Sequence, residues 1–74
     1  MFTAHIASWM YDADTADWLA TDDQWLAVQY EDAKNLARSA GKTPTGNVTL
    51  VNYTQTGVDN DGLIYDFEFA VSVQ

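Results

Sequence analysis

Apolar and polar residues alternate one by one near both ends of the chain and recur every three or four positions in its middle. This change of period predicts the order of the elements. An extended chain from Phe2 to Tyr11 carries Phe2, Ala4, Ile6, Ser8 and Met10 on one side and Thr3, His5, Ala7, Trp9 and Tyr11 on the other. Neither side is plainly polar, so a strand is expected here without a clear outer face. Further on, helical spacing gathers Trp25, Leu26, Tyr30, Ala33, Leu36, Ala37 and Ala40 on one face, with Glu31, Lys34, Asn35 and Arg38 opposite and Val28 pointing outward among polar neighbours. Thr21-Asp22-Asp23-Gln24 reads as a capping box, the Thr21 hydroxyl accepting from the Gln24 amide while the Gln24 side chain reaches back. Gly41 reads as the stop. Acid at the helix start (Asp22, Asp23) and base at its end (Arg38, Lys42) suit the macrodipole.

After Pro44 the pattern is that of strands. Asn47 to Thr56 is rich in Val, Thr and Tyr. Leu63 to Val73 alternates most regularly of all, with Leu63, Tyr65, Phe67, Phe69, Val71 and Val73 on one face and Asp66, Glu68 and Ser72 on the other. Between them Gly57-Val58-Asp59-Asn60-Asp61-Gly62 supplies turn residues, which predicts a hairpin. A right-handed crossover through the helix makes the first two strands parallel in direction. The last strand, with the largest apolar face, then belongs between them, antiparallel to both. The expectation is an α+β fold, one small acidic domain over residues 1–74. It is a β-α-β-β unit whose three-stranded antiparallel sheet has the order 1-3-2, with one helix packed on one face and Trp18 on an exposed loop.

Size and charge narrow the partners. At 74 residues the chain is near the lower limit for one unstapled core. It has no cysteine, which excludes a disulfide framework and a cysteine-based zinc site and leaves the redox compartment open. The apolar start lacks a basic leader and is too short to span a bilayer, so a soluble, cytoplasmic protein is expected. The formal net charge is −8, from eleven acids against Lys34, Arg38 and Lys42. Phosphate neutralisation needs many bases, so direct nucleic-acid binding is excluded, and anionic membranes are disfavoured. A basic protein surface is the electrostatic complement.

No motif supplies chemistry. Ser39-Ala40-Gly41-Lys42-Thr43 ends like a phosphate-binding loop, but Leu36 stands where the first glycine belongs and the helix precedes the loop instead of following it. Asp59, Asp61, Gly62, Ile64 and Glu68 match positions of a calcium loop, but Gly57 occupies the first ligand position and a strand follows. Asp12, Asp14 and Asp17 lack that loop's central glycine. His5 has no neighbouring ligand partner, and no serine lies in a nucleophile motif. No enzyme activity, cofactor or metal is expected.

Five acids have no local structural reason: Asp12, Asp14, Asp17, Asp66 and Glu68. Alternate residues of an extended chain lie about 6.6 Å apart, so Asp12 with Asp14, and Asp66 with Glu68, would space charge as successive phosphates do. Trp9, Tyr11, Trp18 and Trp25 exceed what so small a core needs, and tryptophan and tyrosine are typical interface anchors. Residues 12 to 32 hold seven acids and no base around Trp18. The expected partner-binding set is therefore Asp12, Asp14, Asp17, Trp18, Asp66 and Glu68, facing a basic, nucleic-acid-binding protein. In size, acidity and lack of cysteine the chain resembles the small inhibitors that phages and mobile elements use against nucleic-acid-handling defence enzymes, anti-CRISPR proteins and DNA mimics among them. That likeness implies a non-enzymatic, protein-binding inhibitor and transfers no site residue. The alternatives are an assembly module forming a homodimer or array through sheet edges, and a salt-adapted acidic domain.

Overall fold

The computed structural model describes residues 1 to 74 and has the element order β1 (Phe2–Met10), α1 (Ala13–Leu19), α2 (Asp23–Ser39), β2 (Pro44–Asp59) and β3 (Gly62–Val73). The sheet order is β1-β3-β2, antiparallel throughout, as the apolar face of the last strand implied. β3 is twelve residues long, and at about 3.4 Å per residue it accounts for the 40 Å long dimension of the molecule.

The hairpin turn is tighter than expected. Asp59 pairs with Gly62, so only Asn60 and Asp61 form the loop, with Asn60 at a positive φ of 53° that asparagine tolerates well. β2 is also longer than expected and slips register at three places, between Pro44 and Val48, Leu50 and Asn52, and Gln55 and Gly57. Val51, the extra residue of the middle slip, is left exposed. Such bulges are common on edge strands, where they twist the free edge away from further pairing.

One face of the sheet carries both helices. Phe67, Phe69 and Val71 of β3 are fully buried there, with Ala4 and Met10 of β1 and Ala16, Leu26, Ala33 and Ala37 of the helices. Burying a side chain of the size of Phe or Val stabilises by roughly 1.5–3 kcal/mol. Aromatic edges pack the seam: Trp25 meets Phe67 at 4.8 Å and Tyr30 meets Phe69 at 5.8 Å, both T-shaped, while Tyr53 of β2 stacks on Phe67 at 5.5 Å. Ala33 and Ala37 let α2 approach the sheet closely along a narrow stripe. Leu36, about 100° round the helix from Ala37, is consequently 41% exposed, and Ala40 is exposed as well, contrary to their expected place on the buried face.

Two expectations for the helical region are corrected. The segment 12–20 is not a loop: α1 is a second helix, capped by Asp12, whose carboxylate accepts from the Thr15 amide and hydroxyl, both at 2.8 Å. The cap of α2 is Asp22 and not Thr21. The Asp22 carboxylate accepts from the Gln24 amide at 3.2 Å, while the Thr21 hydroxyl donates back to the Trp18 carbonyl at 2.9 Å and so closes α1. Two helices in succession compete for the same short connection, and the threonine serves the first of them. The far end follows expectation. Gly41, at φ 80°, donates to Arg38 and Lys42 donates to Ala37, the paired bonds of a glycine-terminated helix.

Candidate protein-binding surface

The bases gather toward one end of the long axis, and most of the acids, though not Glu31, Asp32, Asp66 and Glu68, toward the other. At one end the β2–β3 turn carries Asp59 and Asp61, and β1 ends beside it, since Met10 pairs with Leu63. The chain then passes directly into α1 with Asp12, Asp14 and Asp17 and into the start of α2 with Asp22 and Asp23. No lysine or arginine belongs to this half. The three bases lie in the second half of α2 and just past it, next to the opposite end of the sheet, where the Gln74 amide donates to the Thr43 carbonyl. Lys34 is held by Glu31 at 3.0 Å and Arg38 by Asn35 at 2.7 Å.

The six residues expected to bind a partner do not form one surface. Asp12, Asp14, Asp17 and Trp18 belong to α1 on the helix-covered side. Asp66 and Glu68 lie on the opposite, open face of the sheet, among β3 residues that alternate with the buried ones. The phosphate-like spacing of Asp12 and Asp14 is lost as well, because the backbone turns from the cap straight into a helix instead of running extended. Asp66 and Glu68 do keep an extended backbone.

Several of these acids have structural work. Asp12 caps α1, and its carboxyl sits below the usual range because the Thr15 hydroxyl and then the Thr15 amide donate to it. Asp17 accepts from the Tyr53 hydroxyl at 2.8 Å and so ties α1 to β2; that bond raises the Tyr53 phenol above its ordinary value. Asp66 accepts from His5 Nδ1 at 2.8 Å. The imidazole is raised above 6.5, first by that hydrogen bond, next by the charge of Asp66, and further by Glu68, its direct cross-strand neighbour. Asp14 and Trp18 alone among the α1 residues of the set are exposed with no side-chain hydrogen bond to another residue, and Trp18 is 62% exposed.

Trp9 and Tyr11 complete the exposed aromatic set, at 43% and 74% exposure. Their rings meet edge to face at 4.7 Å, and the Trp9 indole N–H donates to the Asp59 carbonyl at 3.3 Å. The indole lies over Gly62, where any side chain would run into the ring. Trp9, Tyr11, Asp59, Asn60 and Asp61 line an open cleft of about 400 Å³. Asp59 and Asp61 were expected as turn residues and not as part of a binding surface. The sequence offers only a tryptophan near the end of the first strand and a glycine in the hairpin; their contact follows from a register that neither neighbourhood announces.

No group of three or more histidine, cysteine or carboxylate side chains is placed to hold a metal ion, and no helix is long and apolar enough to cross a membrane. Comparison with protein-family models, with curated proteins and with solved structures gives no match.

Proposed function

We propose that the chain is a protein-binding inhibitor whose acidic, aromatic half occupies a basic, nucleic-acid-binding surface of another protein. The observation that carries this is the segregation of charge: Asp12, Asp14, Asp17, Asp22, Asp23, Asp59 and Asp61 share one half with exposed Trp9, Tyr11 and Trp18, and that half has no lysine or arginine. Carboxylates steer a basic partner at long range, and aromatic rings anchor it once water is displaced. Solubility alone asks for scattered charge and few exposed rings. The α1 surface, with Asp14 and Trp18, is the favoured contact. Asp66, hydrogen-bonded to His5, and Glu68 are on the other face and lie outside the favoured contact.

The test is capture of tagged protein's partners at two salt concentrations, with duplex and single-stranded nucleic acid as competitors. Capture of a nucleic-acid-binding protein, displaced by nucleic acid, weakened by salt and reduced about tenfold or more by Trp18→Ala with Asp14→Asn, is the expected result. Asp12 and Asp17 are left alone because they hold α1 in place. Capture that ignores salt, nucleic acid and both substitutions would sink the reading.

One feature favours a second reading. β1 pairs with β3 in unbroken register over nine residues, so its outer edge is straight and unpaired, unlike the bulged edge of β2. A straight edge is a template for strand pairing with a second copy. Light scattering that shows a dimer at micromolar concentration, unchanged by salt, would move the assignment to an assembly module.

A further inference from the structure

We infer that the cleft between Trp9, Tyr11 and the β2–β3 turn is the seat of a single arginine side chain supplied by the partner. The inference rests on the reading of the chain as a ligand of a basic protein, and it names the group recognised.

Three observations point to a guanidinium. The walls are two aromatic rings set edge to face, Trp9 against Tyr11, and Trp9 is held by its bond to the Asp59 carbonyl and by its seat on Gly62. A cation is attracted to the face of such a ring, most strongly of all to tryptophan. Two exposed carboxylates, Asp59 and Asp61, stand at the rim, and no basic side chain lines the cleft to neutralise them. The cleft is also of the right kind. About 400 Å³ is at the small end of ligand sites, and it opens outward, so it suits a side chain presented by another molecule better than an enclosed metabolite.

Between the two biological cations the geometry chooses arginine. A guanidinium is planar, stacks on an aromatic face and offers parallel N–H donors to a carboxylate; an ammonium is compact, strongly hydrated and does neither as well. A metal ion is a poor occupant, because two carboxylates fall short of the six to eight oxygens that calcium requires. Asn60 adds a neutral amide to the rim from its left-handed backbone conformation.

The experiment is titration of ¹⁵N-labelled protein with three blocked amino acids, the N-acetyl amides of arginine, lysine and citrulline, read at the indole N–H resonances of Trp9, Trp18 and Trp25. Citrulline keeps the shape of arginine and removes its charge. The expected result is a saturable shift at Trp9 with the arginine compound, weaker with lysine and absent with citrulline. Asp59→Asn with Asp61→Ser should weaken the arginine response about tenfold and leave the spectrum of the core unchanged. Trp9→Phe keeps a ring over Gly62 and gives a second variant, expected to weaken arginine binding with the tyrosine shift of Tyr11 as the readout. Equal responses to all three compounds, or a larger shift at Trp18 than at Trp9, would overturn the assignment. A parallel titration with decaarginine separates this inference from the wider one. Salt-sensitive binding of decaarginine that leaves Trp9 unmoved overturns the cleft and keeps the basic partner, whereas no binding at low salt overturns both.

Discussion

The two faces of the sheet are built from the same strands on opposite principles. On the covered face Phe67, Phe69 and Val71 are sealed from water, with Trp25 and Tyr30 of α2 and Tyr53 of β2 packed against the two phenylalanines. On the open face His5 is hydrogen-bonded to Asp66, Trp9 rests on Gly62, and Ala7 and Ile64 lie between them without a helix to cover them. One face supplies stability. The other is free to be shaped by what it meets. Alternation along β3 makes this division possible, since each step from Asp66 to Phe67 to Glu68 crosses the sheet.

The sharpest way to break this comparison is to hollow the covered face. Phe67→Ala should cost about 3–5 kcal/mol, a large share of the stability of so small a chain, whereas Thr54→Ala on the open face should change it by less than about 0.5 kcal/mol; urea denaturation measures both. Next comes the glycine under the indole. Gly62→Ala must push Trp9 aside, at a cost of about 1–3 kcal/mol and with a shift of tryptophan emission. Gly57→Ala, with nothing within 4 Å of the new carbon, should be within about 0.5 kcal/mol of neutral. A smaller effect distinguishes the two helix-start candidates: Asp22→Ala should cost about 1 kcal/mol, and more than Thr21→Ala, because the aspartate is the cap. If the threonine matters more, the junction of the two helices is wrongly described.

The smallest effect concerns pH. The His5 imidazole is raised in the folded chain, so the protonated form is the one favoured by folding. Its stabilisation is complete below 6.5, the ordinary value, and fades as pH rises through the higher folded value. The urea midpoint should therefore fall slightly across neutral pH, and Asp66→Asn should flatten that slope. An unchanged slope in the variant would show that another group is responsible.

The covered face was legible because a period can be read without knowing which strand lies next to which. Phe67 and Phe69 declare a buried side by position alone, and the size of that side put β3 in the centre. The open face depends on register. His5 and Asp66 are 61 residues apart in the chain, and nothing in either neighbourhood announces the other. The same holds for Asp17 and Tyr53. α1 was missed for a different reason: seven residues are too few to be helical on propensity alone, and what stabilises them is tertiary, the burial of Ala16 and the bond to Tyr53. Its one local clue was Asp12 three residues before Thr15. Read as free charge, Asp12 suggested a phosphate imitation; read as a cap, it starts a helix that presents Trp18.

The central strand is also the last of these three to be made. β1 leaves the ribosome with no partner and waits for Leu63 to meet Met10, some 50 residues of translation, or about 3–10 s at 5–20 residues per second. β2, though nearer, needs the same strand. Folding is thus held until synthesis of these residues is nearly complete, and a nascent chain cut short before β3 exposes two strands at once to chaperones and proteases.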